Sequence, residues 1–135
     1  MFELDKTLKK DSFLVKDLKL CQLLLMNNKF YPWLILVPKR ENMTEIFELN
    51  EKDQKQLSKE INEISKLVKE VFKADKINIA AFGNVVSQLH IHIIARFKND
   101  RVFPNPVWLD KEKEEYDKNE LQKVLAIIPL HTINH

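Results

Sequence analysis

The sequence contains a single glycine, Gly83, in 135 residues. Average usage of about 7% would supply roughly nine, so the position of this one residue is informative. Glycine lets the backbone adopt a positive φ angle and lets another group approach the main chain closely. Because a turn with that geometry can direct backbone N–H groups at an anion, we expect Gly83 to help form an anion-binding turn.

Cysteine is almost absent as well, since Cys21 is the only one. A lone thiol excludes an internal disulfide and a zinc cluster built from cysteines, and it is typical of a reducing compartment. Charges near the start of the chain, among them Asp5 and Lys6, interrupt any apolar run, so we expect no signal peptide. No later window approaches the ~18 apolar residues of a membrane span. We therefore predict a cytoplasmic protein with no membrane partner.

The charges nearly cancel, because 22 Lys and Arg residues face 20 Asp and Glu residues to give a net charge of +2. That excess is too small to imply nucleic acid or a membrane surface as a partner, so any anion binding must be local. A chain of 135 residues is long enough to bury a real core. We expect one domain over residues 1–135.

The apolar pattern predicts four regions of strand. Alternation and leucine runs over residues 13–27 indicate strands, and the pair Asn27 and Asn28 then indicates a turn. The apolar run 33–37 is short enough for a buried strand, and residues 77–81 read as another. Residues 89–97 alternate between apolar and other side chains, which favours a half-buried strand.

Helices are predicted between and after these strands. Residues 2–12 form a short helix or a loose arm. After the N-cap candidate Asn50, apolar residues recur at steps of three and four, which predicts one long amphipathic helix. A charged helix near the C-terminus, with Leu121 on its apolar face, should end at Pro129. Together the elements predict an α+β domain with an antiparallel sheet covered on one side.

The alternating segment 89–97 places His90 and His92 on one face of its strand. A rise of ~3.3 Å per residue sets the two histidines roughly 6.6 Å apart. Gln88 stands one step before them and Arg96 two steps beyond on the same face. The predicted strand therefore carries a polar, titratable row on a rigid element.

Three interpretations of the histidine pair are open. The two side chains can be ordinary polar residues on an exposed sheet face. They can bind zinc, but zinc usually needs a third protein ligand; no Cys, Asp or Glu falls on this face, and the other histidines, His131 and His135, lie in the tail. They can also form a phosphate-directed site in which a neutral imidazole attacks phosphorus while nearby donors hold the developing charge.

The segment QLHIHIIAR, Gln88 to Arg96, resembles the motif of the histidine-triad (HIT) family. Aligning Arg96 with the arginine that follows the family motif makes His92 the third histidine and His90 the middle one. Gln88 then stands where the family has its first histidine. The chain is similar in particular to a bacterial branch labelled diadenosine tetraphosphate hydrolase-like, through the further segments YPWLILVP from Tyr31, the glycine turn, and PNPVW from Pro104. These motifs cover most of the chain in order.

The resemblance implies a HIT-like fold, in which one long helix packs on an antiparallel sheet and a C-terminal helix follows. It implies nucleotidyl transfer or hydrolysis, with His90 attacking an α-phosphate to form a nucleotidyl-histidine that water resolves. His92 would bind the phosphate and assist the leaving group. Gln88 can donate a hydrogen bond to position the phosphate or an imidazole, but it cannot act as an acid.

The resemblance also implies substrate-binding residues. Asn84, directly after Gly83, falls where the family places a polar residue that contacts phosphate, although a turn asparagine is the alternative. Arg96 is a candidate phosphate partner or a solvated residue at a strand end. For the nucleoside, the family places an asparagine near the first hairpin, and here Asn27 is preferred to Asn28.

The implied substrates are dinucleoside polyphosphates or nucleoside phosphoramidates, with no cofactor or metal required and a homodimer as the assembly. The departure at Gln88 motivates an alternative, a nucleotide-binding or sensing module with little turnover. Trp33 stands where many family members carry a supporting histidine. For Trp33 and Trp108, packing in the core or a dimer interface is preferred to stacking on the base.

Overall fold

Five strands form one antiparallel sheet in a computed structural model that describes residues 1–133. The tail residue His135 lies outside the described residues. The strands stand in the order β1-β2-β3-β5-β4, and their bounds are β1 Ser12–Asp17, β2 Cys21–Met26, β3 Trp33–Pro38, β4 Lys76–Ala80 and β5 Ile91–Arg96. The helices are α1 Lys6–Asp11, α2 Glu51–Phe72 and α3 Lys118–Ile127. The predicted α+β fold is confirmed.

The long helix α2 begins and ends as its sequence predicts. The Asn50 side chain accepts a hydrogen bond from the backbone N–H of Asp53 at 2.8 Å, which satisfies one of the free donors of the first turn. Leu57, Ile64 and Val68 are fully buried against the sheet. The helix terminates at Lys73, whose φ of 56° is left-handed.

One buried carboxylate fixes α2 over the sheet. Glu60 is only 1% exposed, and its two oxygens accept the backbone N–H groups of Leu20 and Cys21, each at 2.9 Å. The amide of Gln56, one turn earlier, donates to the same group at 2.7 Å. Because a buried charge is tolerated only when its acceptor sites are filled, this set of donors explains a glutamate on the buried face of the helix.

The two faces of the sheet carry different packing. Leu34 of β3 and Ile93 of β5 face α2, whereas Trp33, Ile35 and Ile94 face the opposite side. That opposite side is not open: it is packed by buried residues from outside the sheet, namely Leu8, Tyr31 and Val107. The sequence predicted a sheet covered on one side only. In the structure the segment before β1 and the loop after β5 cover the second face as well.

The register of β3 against β5 decides which residues meet the histidines. His92 lies opposite Ile35, and Ile94 lies opposite Trp33. Since residues two apart on a strand share a face, Trp33 is the diagonal neighbour of His92 on the side away from α2.

The C-terminal helix α3 starts in a capping box, in which Asp117 and Glu120 each accept the other's backbone N–H, at 2.8 and 2.9 Å. The helix ends at Ile127, and the next residue, Ile128, is buried in the core. Within residues 1–133, no helix combines the length and the apolar character needed to cross a bilayer.

Candidate functional site

His90 and His92 face a cavity of about 420 Å³ on the side of the sheet opposite α2. The cavity is lined by residues of α1, the glycine segment and the two histidines: Thr7, Leu8, Asp11, Ser12, Met26, Ile35, Phe82, Gly83, Asn84, Val85, Val86, His90, His92 and Trp108. His90 is 7% and His92 5% exposed. The interpretation as ordinary residues on an exposed sheet face is therefore wrong.

The Nδ1 atom of His90 lies 2.6 Å from the backbone carbonyl oxygen of Gln88. A carbonyl oxygen only accepts, so Nδ1 must carry the proton and donate it to this bond. Neutral His90 then has a bare Nε2 with a free lone pair. This is the tautomer that a nucleophilic imidazole needs.

His92 is held in the opposite tautomer. The indole Nε1–H of Trp33 donates to Nδ1 of His92 at 3.0 Å, so Nδ1 is bare and the proton of the neutral ring lies on Nε2. Burial lowers the pKa of His92 to about 3, and the repulsion that two protonated rings so close together would exert adds to this effect. His92 therefore remains neutral at physiological pH and keeps an N–H donor.

The two imidazoles stand edge to face, with ring centroids 4.8 Å apart and planes at 76°. One ring thus supplies an electron pair and its neighbour supplies a neutral donor. An electrophile with oxygen atoms around its centre, such as a phosphoryl group, matches that combination.

Gly83 begins the turn that leads to the histidines. Its φ of +72° lies in the left-handed region, as expected for the only glycine of the sequence. Gly83 and the exposed Asn84 both line the cavity. Within residues 1–133, no acceptor takes a hydrogen bond from the backbone N–H groups of residues 84–87. These groups remain available to a ligand.

The family model for the HIT domain matches residues 7–99, which include the histidines, the glycine turn and all five strands. The chain belongs to the HIT family. No curated protein matches the chain.

Solved structures of HIT proteins superpose closely on the chain. A histidine triad protein from Bradyrhizobium japonicum is 42% identical, with 94% of this chain and 95% of that one covered and a TM-score of 0.91. One from Marinobacter aquaeolei is 38% identical, with coverage of 96% and 95% and a TM-score of 0.94. A hypothetical histidine triad nucleotide-binding protein from Sulfolobus tokodaii is 21% identical, with coverage of 87% and 80% and a TM-score of 0.66, and shares the fold.

Gln88, the residue in the first position of the HIT motif, lies outside the cavity. Its Oε1 accepts the backbone N–H of Asp5 at 2.8 Å, and its Nε2 donates to the carbonyl of Glu3 at 2.8 Å. Strand β5 begins only at Ile91, so the alternation does not extend back to position 88. The expected row of Gln88 with the histidines is corrected: the side chain ties the N-terminal segment to the site, and only its carbonyl meets His90.

Gln88→Ala should loosen the segment that leads into α1 while leaving the histidines in place. Two neutral hydrogen bonds of about 1 kcal/mol each correspond to roughly 30-fold more frequent opening of that segment. Hydrogen exchange at the Asp5 amide should accelerate accordingly. Gln88→Glu is the matched control, because it keeps an acceptor for Asp5 and loses the donor to Glu3.

Gln88→His should add no ionisation to the pH dependence of kcat/KM, since position 88 does not face the cavity. An additional acidic limb in this variant would contradict the placement.

Arg96 is also removed from the cavity, although it shares the face of His92. Its side chain is 1% exposed and forms a two-point ion pair with Asp100, at 2.8 and 3.1 Å. A third nitrogen donates to Asn78 at 2.8 Å. The expectation that Arg96 contacts phosphate needs correction, because its donors are engaged inside the protein. It is equally not the solvated residue of the alternative.

Asn27 lies beside the main cavity. It lines an adjoining space of about 230 Å³ together with Trp33 and Trp108. Its side chain accepts the backbone N–H of Tyr116 at 2.9 Å and donates to Glu115 at 3.2 Å. The polar groups that line the main cavity at this end are instead Asp11 and Ser12, which no motif in the sequence indicated.

Aromatic rings surround His92. Trp108 lies edge-on to it with centroids 5.0 Å apart, and Phe82 lies 6.4 Å away. Trp33 is 6% exposed, as packing predicts, whereas Trp108 is 41% exposed at the cavity wall. The contact of Trp33 with His92 was missed because it joins residues 59 apart in the chain. The signal that could have found it is an indole in the place of the supporting histidine.

A zinc site is not formed by the described residues. Within residues 1–133, no group of three or more His, Cys, Asp or Glu side chains is placed to hold a metal ion. The Nδ1 atoms of both cavity histidines are also occupied by protein partners.

Proposed function

We propose that the protein is a nucleotide phosphohydrolase or nucleotidyl transferase that attacks an α-phosphate through Nε2 of His90. The observation that carries this proposal is the pair of opposite tautomers facing one cavity, a bare nitrogen on His90 beside an N–H donor on His92. A nucleophile and an oxyanion donor are the two groups that phosphoryl substitution needs from the protein. The turn at Gly83 and Asn84 supplies further donors to the same space.

The reaction would proceed in two displacements. The lone pair of His90 Nε2 forms a bond to phosphorus while the bond from phosphorus to the leaving group breaks, and the leaving group takes a proton from solvent water as it departs. Nδ1–H stays bonded to the Gln88 carbonyl, which stabilises the positive charge that develops on the ring. Water then attacks phosphorus and releases a proton to the solvent, and the imidazole leaves in its original form. His92 donates its hydrogen bond to a phosphoryl oxygen throughout.

Among the implied substrates, the cavity favours nucleoside phosphoramidates over dinucleoside polyphosphates such as diadenosine tetraphosphate. Its lining contains no lysine or arginine, and its one carboxylate is Asp11. A polyphosphate chain carries several negative charges that would find no cationic partner in this lining, whereas a phosphoramidate places one phosphoryl group beside the histidines. The remaining lining is largely apolar and suits a base.

Rapid quench with a substrate labelled at the α-phosphate tests the proposal. Label should appear on the protein within one turnover, be released by acid, and map to His90 by mass spectrometry of alkaline digests. Full activity after chelator treatment should accompany it, because no cofactor is proposed. Turnover without label on His90 would contradict the mechanism. A competition between a phosphoramidate and a polyphosphate substrate in the same assay measures the substrate preference directly.

A nucleotide-binding module with little turnover is the second candidate. It is favoured by one observation: the side chain of Gln88 is bonded to Glu3 and Asp5, so the residue in the first motif position adds no group to the cavity beside the two histidines. Calorimetry with a non-hydrolysable nucleoside phosphoramidate, beside a product assay over hours, distinguishes the two. Binding without product would favour the module.

We also propose a homodimer built on the free edge of β4. This strand lies at the edge of the sheet, and Ile79 within it is 52% exposed. Phe82, two residues after the end of the strand, is 54% exposed. An unpaired edge with exposed apolar side chains is a suitable surface for pairing. Light scattering should give twice the chain mass of 16.0 kDa, and Ile79→Lys should give the single-chain mass. Lys76→Glu, at the exposed start of the same strand, is a control for a change of charge alone.

We also propose that the protein is located in the cytoplasm. The support for it is Cys21, the only cysteine of the sequence, which is a free thiol as is typical of a reducing compartment. Cell fractionation would test the location.

A further inference from the structure

We propose that Trp33 is a positioning residue that holds His92 in the tautomer with its proton on Nε2. The inference rests on the proposed function, because it concerns how His92 serves as a donor in that cavity. Its basis is the hydrogen bond of 3.0 Å from the Trp33 indole to Nδ1 of His92, formed where Trp33 is 6% and His92 5% exposed.

The chemistry of an indole makes this bond selective. Indole nitrogen donates and cannot accept, so the bond exists only when Nδ1 of His92 is bare. Both other forms of the ring, the Nδ1–H tautomer and the imidazolium, place a proton at Nδ1 directly against the indole proton. Trp33 therefore disfavours both, and burial from water leaves no alternative partner for the clashing groups.

The backbone holds the indole in position. Trp33 is the first residue of β3, its strand pairs with β5, and Ile35 lies opposite His92. Trp33 also packs edge-on against Trp108, with centroids 5.3 Å apart. The backbone of Trp33 is thus fixed by strand pairing, and its indole ring is confined by Trp108 as well as by His92.

Few other groups can set the state of His92. The titratable side chain that contacts it is His90, 4.8 Å away between ring centroids, while Phe82 and Trp108 contact it through their rings and, among the described residues, make no hydrogen bond to it. From α1, Asp11 lines the same cavity, and no hydrogen bond joins it to His92 among the described residues. Within residues 1–133, the bond from Trp33 is the one hydrogen bond to the His92 ring, and it distinguishes Nδ1 from Nε2.

The consequence for substrate is a fixed donor. With the proton on Nε2, His92 meets a phosphoryl oxygen as a neutral N–H. In the other tautomer it would present a lone pair to that negative oxygen, which repels it. Trp33 would therefore increase the fraction of protein in which the cavity can accept a phosphoryl group.

Nitrogen NMR of the ligand-free protein tests the tautomer directly. In ¹⁵N-histidine-labelled wild type, with signals assigned through His92→Gln, His92 should show a protonated Nε2 and a bare Nδ1. Trp33→Phe, which keeps an aromatic ring and removes the donor, should shift His92 to a mixture of tautomers. Trp108→Phe is the matched control: it removes an indole beside the same ring without removing the bond, so the His92 signals should keep the wild-type pattern.

Activity gives the second measurement. Trp33→Phe should lower kcat by about 10- to 100-fold, the range found for partners that orient metal-bound imidazoles, and its kcat/KM should gain an acidic limb as His92 becomes able to protonate. Trp33→His, which offers an N–H from a smaller ring, should recover part of both changes. A purely structural role for Trp33 would lower stability without moving the pH profile.

His92 signals that are unchanged in Trp33→Phe would overturn the inference, whatever the activity of the variant. A wild type with the expected His92 tautomer but with no label on His90 in rapid quench would overturn the proposed enzyme and support the inference. The two failures are therefore distinguishable, since the NMR measurement needs neither substrate nor turnover.

Discussion

His90→Ala should reduce turnover on the order of 10⁶-fold, the loss seen when the nucleophile of a covalent mechanism is removed. The variant loses the only nitrogen in the described cavity that is bare and faces it, because His92 keeps its proton on Nε2 and directs its bare Nδ1 at Trp33. Direct attack by water would then be the remaining route. Single-turnover kinetics with labelled phosphoramidate should show neither a burst nor a labelled protein.

His92→Gln is the matched comparison, because an amide keeps an N–H donor but cannot serve as a nucleophile. Even the complete loss of one well-placed donor costs only about 10² to 10³ in kcat, so a variant that keeps a donor should fall well short of the His90→Ala loss. Nucleotide binding measured by calorimetry should persist in both variants, which separates loss of chemistry from loss of fold. Residual turnover of His90→Ala within tenfold of wild type would remove His90 from the mechanism.

Local patterns in the sequence were sufficient for much of this architecture. The spacing of Leu57, Ile64 and Val68 predicted α2, and Asn50 caps it as expected. The shared face of His90 and His92 is confirmed, as is the special backbone of Gly83. Each of these features depends on residues close together in the chain, where helix and strand periodicities apply directly.

The contacts that complete the site depend on distant pairing. Trp33 reaches His92 only because β3 and β5 adopt one register, and periodicity does not determine which strands pair. Gln88 turns away because the main chain at Glu3 and Asp5, 83 or more residues earlier, offers it two partners. Alternation placed Gln88 in one row with the histidines, and this prediction was wrong, because β5 begins at Ile91, three residues after position 88.

For Arg96 too, the sequence predicted the face of the strand but not the partner of the side chain, although that partner is only four residues away. Alternation placed it correctly on the face of His92, but the loop after β5 returns Asp100 to it. Asp100 also accepts the backbone N–H groups of Phe97 and Phe103, at 3.0 and 2.9 Å. The ion pair therefore organises the loop that leads to Trp108, and its contribution to the site is structural.

Arg96→Met should destabilise the protein by about 3 to 5 kcal/mol at pH 7, the usual loss when one partner of a buried ion pair is removed. The substitution keeps much of the apolar stem and leaves the Asp100 carboxylate, 6% exposed, without its cation. Urea unfolding followed by the fluorescence of Trp33 and Trp108 gives the change in midpoint at constant slope. Lys29→Met is the control, because the carboxylates paired with Lys29, on Glu114 and Glu120, are 55% and 38% exposed. Removing a cation from exposed carboxylates should move the midpoint little.

The pH dependence of that loss identifies Asp100 as its source. Burial pushes the pKa of Asp100 up, but the hydrogen bonds from Arg96 and from the backbone outweigh it and hold the pKa below the ordinary value. The wild type therefore keeps this stabilisation above pH ~4, the unfolded value, and loses it as the pH falls through the lower folded pKa. In Arg96→Met the burial effect raises the pKa of Asp100 instead. The difference in free energy of unfolding between the two proteins should therefore be widest near pH 7 and should shrink in acid.

Adding Asp100→Asn to Arg96→Met should restore part of the stability at pH 7, because it removes the unpaired buried charge. A difference in unfolding free energy that stays constant from pH 7 to 3 would assign the loss to the contacts of the guanidinium with the rings of Tyr31 and Phe103, 5.8 and 5.5 Å from their centroids, and not to the ion pair.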